Sequence, residues 1–171
     1  MKKLMILLII GMFVLSAGTG SPVKAADDTY GAAGASKLSD ESLTLEKMLV
    51  FAIQDEYLAR GEYEKVIEKF GSQRPFSNII KAEERHISWL TPLFEKYNII
   101  LPPDRGLELA MVPETFSEAL QIGVEAEVAN IAMYERFLKK DLPADIRDVF
   151  SRLLGGSENH LAAFKRGGRS R

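Results

Sequence analysis

The feature that most constrains the fold is an internal repeat. Five positions of the first half recur in the second half with the same residue types. In both halves a threonine lies 12 residues before a glutamate, a tyrosine follows that glutamate by seven, and a phenylalanine lies ten before a histidine. The matched positions are Thr44 and Thr115, Glu56 and Glu127, Tyr63 and Tyr134, Phe76 and Phe150, and His86 and His160. Two copies of one helical hairpin explain such a repeat.

Apolar residues recur every three or four positions in four segments, which is the period of an amphipathic helix. These segments are 44–71, 75–97, 115–138 and 143–164. No segment alternates apolar and polar residues with a period of two, so we expect no β-sheet. The connection 98–114 contains three prolines and is long enough, as extended chain, to travel the length of a bundle. We therefore predict an all-α protein, an antiparallel four-helix bundle of two helical hairpins joined by a long crossover.

Local signals indicate where the helices begin and bend. Thr44 is a favourable N-cap, and Thr115 with Glu118 has the spacing of a capping box. Pro75 suits the first turn of a helix, where a missing N–H costs little. Pro92 falls inside the second helix, where we expect a kink because proline cannot donate to the carbonyl four residues earlier.

The first 25 residues have the pattern of a secretory signal peptide. Lys2 and Lys3 precede an apolar run over 4–17, and Val23-Lys24-Ala25 fits a small-x-small cleavage site. We therefore expect a secreted, periplasmic or cell-surface protein that is cleaved after Ala25. An uncleaved membrane anchor is the alternative, although the apolar run is shorter than the roughly 20 residues that a membrane span needs.

The remaining chain divides into three parts. Residues 26–41 are rich in Gly, Ala, Ser and Asp without a period, which predicts a flexible leader. Residues 42–166 form the four-helix domain, and a basic, glycine-containing tail at 167–171 is expected to be disordered.

Charge and cysteine content exclude several classes of site. Three of the 22 basic residues and none of the 24 acidic residues lie in 1–25, so the chain without that segment has a net charge of −5. An acidic chain gives no reason to expect a nucleic-acid partner. The sequence contains no cysteine, which excludes Fe–S clusters and rubredoxin-type iron within this chain.

Five polar side chains interrupt the apolar stripes. They are Glu56, Glu83, His86, Glu127 and His160. Glu83 and His86 are three residues apart, so on a helix they lie on one face about one turn from each other. We expect all five to converge near the middle of the bundle. Buried carboxylates without a counter-ion are costly or take up protons, whereas carboxylate and imidazole together suit iron, manganese or zinc. The pattern therefore predicts five metal ligands.

A core without metal is the alternative for these residues. Glu56 and Glu127 would then be protonated acids that hydrogen-bond to Tyr63 and Tyr134. The two histidines would be neutral and would be satisfied by backbone or hydroxyl groups.

The arrangement resembles the ferritin-like superfamily, and within it the rubrerythrin and bacterioferritin type. In that superfamily the first and third helices each give one Glu, and the second and fourth each give Glu-x-x-His. The resemblance covers about residues 42–166. The matching residues are Glu56 with Tyr63 in the first helix, Glu83 with His86 in the second, and Glu127 with Tyr134 in the third.

The fourth helix departs from the family pattern. Ser157 stands three residues before His160, where the family has Glu, and Glu158 is one residue off, roughly 100° around the helix. In the family the second-helix and fourth-helix glutamates bridge two metals. The resemblance therefore implies one ion held well and a second held weakly or through water. The neighbouring Gly155-Gly156 indicates either close helix contact, which we favour, or a small open space beside the site.

The resemblance also implies a function. This variant is similar to an exported ferritin-like family without an assigned activity. It implies a non-haem iron or manganese oxidoreductase, with zinc as a further option, acting on peroxide, dioxygen or ferrous iron with electrons from an external donor. Tyr63, Tyr134 and Ser157 would lie behind the ligands, and the tyrosines would hold the terminal carboxylates in place. The alternatives are a non-catalytic metal-binding module and a metal-free bundle, and a homodimer is compatible with each.

Overall fold

The computed structural model describes residues 29–169, and all regular structure within them is helical. The α-helices of this part of the chain are α1 (Gly31–Ser36), α2 (Leu45–Phe70), α3 (Phe76–Lys96), α4 (Gly106–Leu109), α5 (Phe116–Leu138) and α6 (Ala144–Arg169), with a 3-10 turn at Asp40–Ser42. The prediction of an all-α chain is confirmed for these residues. The predicted signal peptide, the first three residues of the predicted leader and the last two of the predicted tail lie outside the described residues.

The predicted helix starts are confirmed by hydrogen bonds. Thr44 Oγ1 accepts from the backbone N–H of Lys47 across 3.3 Å at the start of α2. Thr115 accepts from the N–H of Glu118 across 3.1 Å, and the Glu118 carboxylate accepts from the N–H of Thr115 across 3.0 Å. This reciprocal pair is a complete capping box. At Pro92, where we expected a kink, α3 continues as a single helix.

The hydrophobic core consists of two clusters. The first combines the first halves of α2 and α6 with the second halves of α3 and α5, and it includes Leu49, Leu90, Phe137 and Phe150. The second combines the opposite parts of the same four helices, and it includes Tyr63, Phe76, Leu120 and Phe164. Along α3, α5 and α6 the candidate ligands lie between the residues that build the two clusters, and on α2 Glu56 lies close to the change from one cluster to the other. The core therefore encloses the site on two sides.

The prediction of a flexible leader is wrong for the described part of that segment, residues 29–41. There α1 packs against α2 and α5, and Ala32 and Ala35 are buried. The Arg136 side chain on α5 donates to the carbonyls of Ala35 and Leu38 across 2.9 Å and 2.6 Å. The small residues that suggested flexibility instead permit close packing, and the arginine ties the carbonyls at the end of α1 and just after it to α5.

The connection between α3 and α5 runs beside α2. The Lys65 ammonium donates to the carbonyl of Ala110 across 2.7 Å, and Lys69 donates to the carbonyl of Pro113 at the same distance. Gly61 and Gly106 meet where α4 touches α2, and a Cβ on Gly61 would lie 2.5 Å from the Gly106 carbonyl carbon. Glycine at this point allows the two backbones to approach more closely than any side chain would permit.

The basic tail is also more ordered than predicted, because α6 continues through Arg169. Gly167 lies against the neighbouring helices, since a Cβ there would be 3.1 Å from Leu120 Cδ2 and 3.3 Å from Pro75 Cδ. The prediction of disorder is therefore wrong for residues 167–169. None of the helices within residues 29–169 is both long and apolar enough to cross a membrane.

Candidate metal centre

Two groups of three potential metal ligands lie next to each other in the core. One consists of Glu56, Glu83 and His86, and the other of Glu83, Glu127 and His160. In each group the ligand atoms lie within 4.8 Å of one another. All five side chains are at most 8% exposed. The structure therefore brings all five predicted ligands together, and Glu83 belongs to both groups.

Glu83 occupies the central position. Its Oε2 lies 3.1 Å from His86 Nδ1, and its Oε1 lies 3.2 Å from His160 Nδ1. Each histidine also contacts an acid of its own group, because His86 Nδ1 lies 3.0 Å from Glu56 Oε2 and His160 Nδ1 lies 3.2 Å from Glu127 Oε1. The two imidazole rings are stacked, with centroids 5.5 Å apart. One carboxylate thus faces both groups, with one oxygen toward each.

The two tyrosines are paired with the acids across the repeat. Tyr134 donates to Glu56 Oε1 across 2.7 Å, and Tyr63 donates to Glu127 Oε1 across 3.1 Å. Both acids therefore accept from these two tyrosines, as the metal-free alternative also expects, and each tyrosine comes from the other helix of the repeat. Seven residues of helix rise about 10 Å, which is too far for a hydrogen bond between a glutamate and the tyrosine of its own helix.

Two carboxylate oxygens in the centre are buried without a hydrogen bond to any residue of the described part of the chain. They are Glu83 Oε1 and Glu127 Oε2. Glu83 Oε1 is close to His160 Nδ1, but the pair lacks hydrogen-bond geometry. Unsatisfied buried acceptors are uncommon in folded proteins and indicate a missing partner such as an ion or an ordered water. Because these oxygens belong to residues of the two ligand groups, the donor set fits a cation.

The charges of the centre are strongly coupled. Burial and the neighbouring Glu83 carboxylate raise the pKa of Glu56 to about 8. Burial would also raise the pKa of Glu83, but the adjacent imidazoles of His160 and His86 outweigh it and lower that pKa to about 2. Burial would lower the pKa of both imidazoles, yet their carboxylate partners raise it to about 10 for His86 and about 9 for His160. In the absence of metal, protons bound to Glu56, His86 and His160 therefore offset the negative charge of the carboxylates.

The fourth long helix, α6, supplies the candidate ligand His160, and its Gly156 leaves space for the ring of His86. A Cβ on Gly156 would lie 2.7 Å from His86 Cε1 and 2.8 Å from its Nε2. The close-contact explanation of this glycine is confirmed, and an open space at Gly156 is wrong because the His86 ring fills it. Ser157 is 4% exposed, and its hydroxyl has no hydrogen-bond partner among the described residues.

Sequence analysis missed two buried polar residues beside the centre. Asp55 and Asn130 are each 7% exposed. Asp55 precedes Glu56, and Asn130 follows Glu127 by three residues, about one helical turn. A polar residue one turn from a predicted ligand was the available signal for Asn130. Asp55 is adjacent to Glu56 in the sequence and therefore lies on a different face of the helix from that predicted ligand. No sequence pattern indicated that Asp55 would be buried.

Comparison with known proteins identifies relatives of this chain. No family model matches. The uncharacterized protein MJ0754 of Methanocaldococcus jannaschii is 31% identical over 128 residues, which cover 66% of this chain and 69% of that protein. The crystal structure of hypothetical protein MJ0754 superposes with a TM-score of 0.67 at 26% identity, over 78% of this chain and 86% of that one.

A second solved structure shares the fold. It is a conserved hypothetical protein, rv2844, from Mycobacterium tuberculosis, with a TM-score of 0.64. Its sequence identity is 16%, over 82% of this chain and 95% of that one. At that identity the similarity concerns the fold alone. The identity with MJ0754 extends over two thirds of that protein, and the chain described here belongs to the MJ0754 family.

Proposed function

We propose that this chain is an exported metal-binding protein of ferritin-like type. Its ligands would be Glu56, Glu83, His86, Glu127 and His160, and the metal would be iron or manganese, with zinc as a further option. The observation that carries the proposal is the position of Glu83, whose two oxygens face two buried three-residue groups. Export rests on the sequence of residues 1–25.

The distribution of core residues supports an antiparallel four-helix arrangement. The first half of α2 packs in one cluster with the second half of α3, and the first half of α6 packs there with the second half of α5. The opposite parts meet in the other cluster. Helices whose opposite ends meet in this way run antiparallel. The connection beside α2 would then be the crossover between two hairpins.

The chemistry of the donor set favours this class of metal. Three carboxylates and two imidazoles are the ligand types that iron, manganese and zinc share. A bound divalent cation would supply a Lewis acid and, for iron or manganese, a redox couple. Tyr134 donates to the Glu56 oxygen that does not contact His86, and Tyr63 donates to the Glu127 oxygen that also contacts His160. Both hydrogen bonds fix the direction in which the carboxylates point.

The fourth helix limits how many ions are held firmly. Ser157 is buried beside the site and provides a hydroxyl in place of a second bridging carboxylate. Each group therefore has three protein ligands, and one of the three is shared. We expect one tightly held ion and a second ion that depends on water for part of its coordination.

The same incompleteness favours redox catalysis as a second candidate function. Three protein ligands leave coordination positions that a small molecule can reach, whereas a structural metal site is typically closed by protein. Peroxide, dioxygen or ferrous iron would be the substrate, and an external donor would supply electrons. A non-catalytic metal-binding module remains the competing function, and turnover distinguishes the two.

Metal analysis of protein purified without chelator tests the proposal. Wild type should contain one to two ions per chain, and Glu83→Gln should lose both because that carboxylate serves both groups. Glu84→Gln is the matched control, since Glu84 is the exposed neighbour on the same helix. Chelator should lower the melting temperature of wild type.

The outcomes separate the candidate functions. Absence of metal with an unchanged melting temperature in chelator would refute metal binding. Equal metal content in Glu83→Gln and Glu84→Gln would refute the assigned ligands. Peroxide consumption by the iron-loaded protein would favour the enzyme, and a bound metal without turnover would favour the non-catalytic module.

A further inference from the structure

A cavity of about 230 Å³ lies outside the candidate metal centre. Its walls come from α1, α2, α5 and the segment around α4. Apolar side chains form most of the surface, among them Leu58, Leu109, Met111 and Ile122. Pockets for drug-sized ligands are about 300–1,000 Å³, so this cavity suits a smaller molecule with a substantial apolar part.

The charged groups of the cavity are all acidic. Asp55, Glu62 and Glu125 line it, and no lysine, arginine or histidine of residues 29–169 does so. Asp55 Oδ1 accepts from the N–H of Ala32 across 2.9 Å, whereas its Oδ2 and the whole Glu62 carboxylate have no hydrogen bond within residues 29–169. Carboxylates in an apolar cavity are stabilised by a positively charged partner.

An unpartnered amide gives independent evidence for a ligand. Asn130 lines the cavity and is 7% exposed. Its side chain makes no hydrogen bond to any described residue. The carboxamide lines the cavity with its hydrogen-bonding groups unused, and a ligand in this cavity would provide a partner for them. The Asn130 amide and the carboxylates of Asp55 and Glu62 thus line the same cavity, and each can form further hydrogen bonds there.

The spacing of the acids is unsuited to a single metal ion. Among the described residues, only the two groups of the candidate metal centre bring three potential ligands within 4.8 Å of one another. Asp55 and Glu62 are seven residues apart on α2, which is about two turns and roughly 10 Å along the helix. They lie on one face of α2 at opposite ends of an apolar stretch. Two separated positive charges on a flexible apolar chain match that pattern.

We propose that this cavity binds an aliphatic diamine or short polyamine. One ammonium group would contact Asp55, and a second would contact Glu62. The methylene chain would lie against Leu58 and Met111, and Asn130 would provide a further hydrogen bond. Glu125 is exposed and would attract the amine at the entrance. The amine would occupy a different space from the metal, because none of the five candidate metal ligands lines the cavity.

Titration calorimetry on the full chain at pH 8 tests this inference, with 1,5-diaminopentane and spermidine as probes. Burial raises the pKa of Glu62 to about 7, so its carboxyl is mainly ionised at that pH. We expect saturable binding of one amine per chain. Pentylamine, with one charge, should bind about tenfold more weakly, and 1,5-pentanediol should not bind, because each charged contact contributes about that factor.

Variants then assign the binding to this cavity. Glu62→Gln and Asp55→Asn should each weaken diamine binding about tenfold, and the asparagine retains the oxygen that accepts from Ala32. Glu68→Gln is the matched control, since Glu68 is exposed on the same helix and does not line the cavity. The side-chain amide resonance of Asn130 should shift on addition of diamine.

Three results would overturn the inference. These are the absence of saturable binding, equal affinity for pentylamine and the diamine, or equal weakening in Glu62→Gln and Glu68→Gln. Circular dichroism and metal content of each variant show whether the fold and the metal centre are intact. If Asp55→Asn fails to fold, Glu62→Gln and the Asn130 resonance still decide the question.

Discussion

Tyr134 on α5 donates a hydrogen bond to Glu56 on α2 across 2.7 Å in the buried centre of the protein. The equivalent tyrosine of the other half, Tyr63, donates to Glu127 in the opposite direction. Each half of the repeat therefore orients an acid of the other half. The two halves of the repeat are therefore connected by hydrogen bonds at the site itself. Neither half alone contains both a candidate acid and the tyrosine that donates to it.

Removal of the Tyr134 hydroxyl tests this dependence. Tyr134→Phe leaves Glu56 Oε1 buried without its donor, which should reduce the free energy of unfolding by about 1–3 kcal/mol. Chemical denaturation measures the change. Tyr57→Phe is the matched control, because Tyr57 is also buried and its hydroxyl has no hydrogen bond within the described residues. A loss of equal size in both variants would contradict the proposed role of the Tyr134 hydroxyl.

Gly156 and Gly155 form a natural pair of test and control. Gly156→Ala places a methyl group 2.7 Å from His86 Cε1, so it should displace the ring, cost about 1–3 kcal/mol of stability and weaken metal binding roughly 10–100-fold. Gly155→Ala meets nothing within 4 Å and should stabilise the helix by up to about 1 kcal/mol. Thermal denaturation with and without metal measures both effects. Similar behaviour of the two variants would contradict the contact with His86.

Ser157→Glu restores the carboxylate that the ferritin-like pattern has in the fourth helix. With metal present, it should raise the number of ions held firmly toward two per chain. With chelator present, the added buried charge should lower the free energy of unfolding by more than about 1 kcal/mol. Ser151→Glu, at an exposed position of the same helix, is the control. Unchanged metal stoichiometry in Ser157→Glu would count against this placement of the site.

Contacts between the last residues of α3 and the first turn of α6 lead us to expect that the protein loses stability in acid. Hydrogen bonds from Lys96 across 2.6 Å and Tyr97 across 2.7 Å lower the pKa of Asp145 from 3.8 to about 2. Since the folded state binds this proton less readily than the unfolded state, the stabilisation is present above pH 3.8 and is lost as the pH falls toward 2.

Asp145→Asn should therefore be less stable than wild type near neutral pH, and the difference should vanish near pH 2. Denaturation curves recorded across that range measure it. Asp148→Asn is the control, because the partner of Asp148 among residues 29–169 is Arg152, in an exposed pair, and such pairs contribute little. A difference between wild type and Asp145→Asn that is constant with pH would refute the assignment.

The sequence predicted the helices and the five candidate ligands because both follow from periodicity along single helices. Glu83 and His86 are one turn apart, and each of the other ligands interrupts an apolar stripe. The pairing of Tyr134 with Glu56 could not be predicted in this way, because it depends on how two separate helices face each other. The repeat indicated that the halves correspond, but it carried no information on which side chains meet.

Local composition was misleading where tertiary contacts decide the structure. Residues 31–36 contain only Gly, Ala and Ser, which is typical of a flexible segment when considered alone. Arg136 lies about 100 residues later and satisfies the carbonyls of Ala35 and Leu38. A contact over that separation leaves no periodic signal. The same reason explains why the ordered end of α6, packed near Leu120 and Pro75, was not foreseen.

The attachment of α1 by Arg136 has a consequence for access to the cavity beside Asp55. Tyr30, Ala32 and Ala33 supply one of its walls, and they belong to the six-residue helix α1 and the residue before it instead of to a long helix. Short segments with few contacts detach at lower free energy than the body of a domain. Brief release of this segment would therefore widen the cavity beyond the entrance at Glu125, while the four long helices keep their positions.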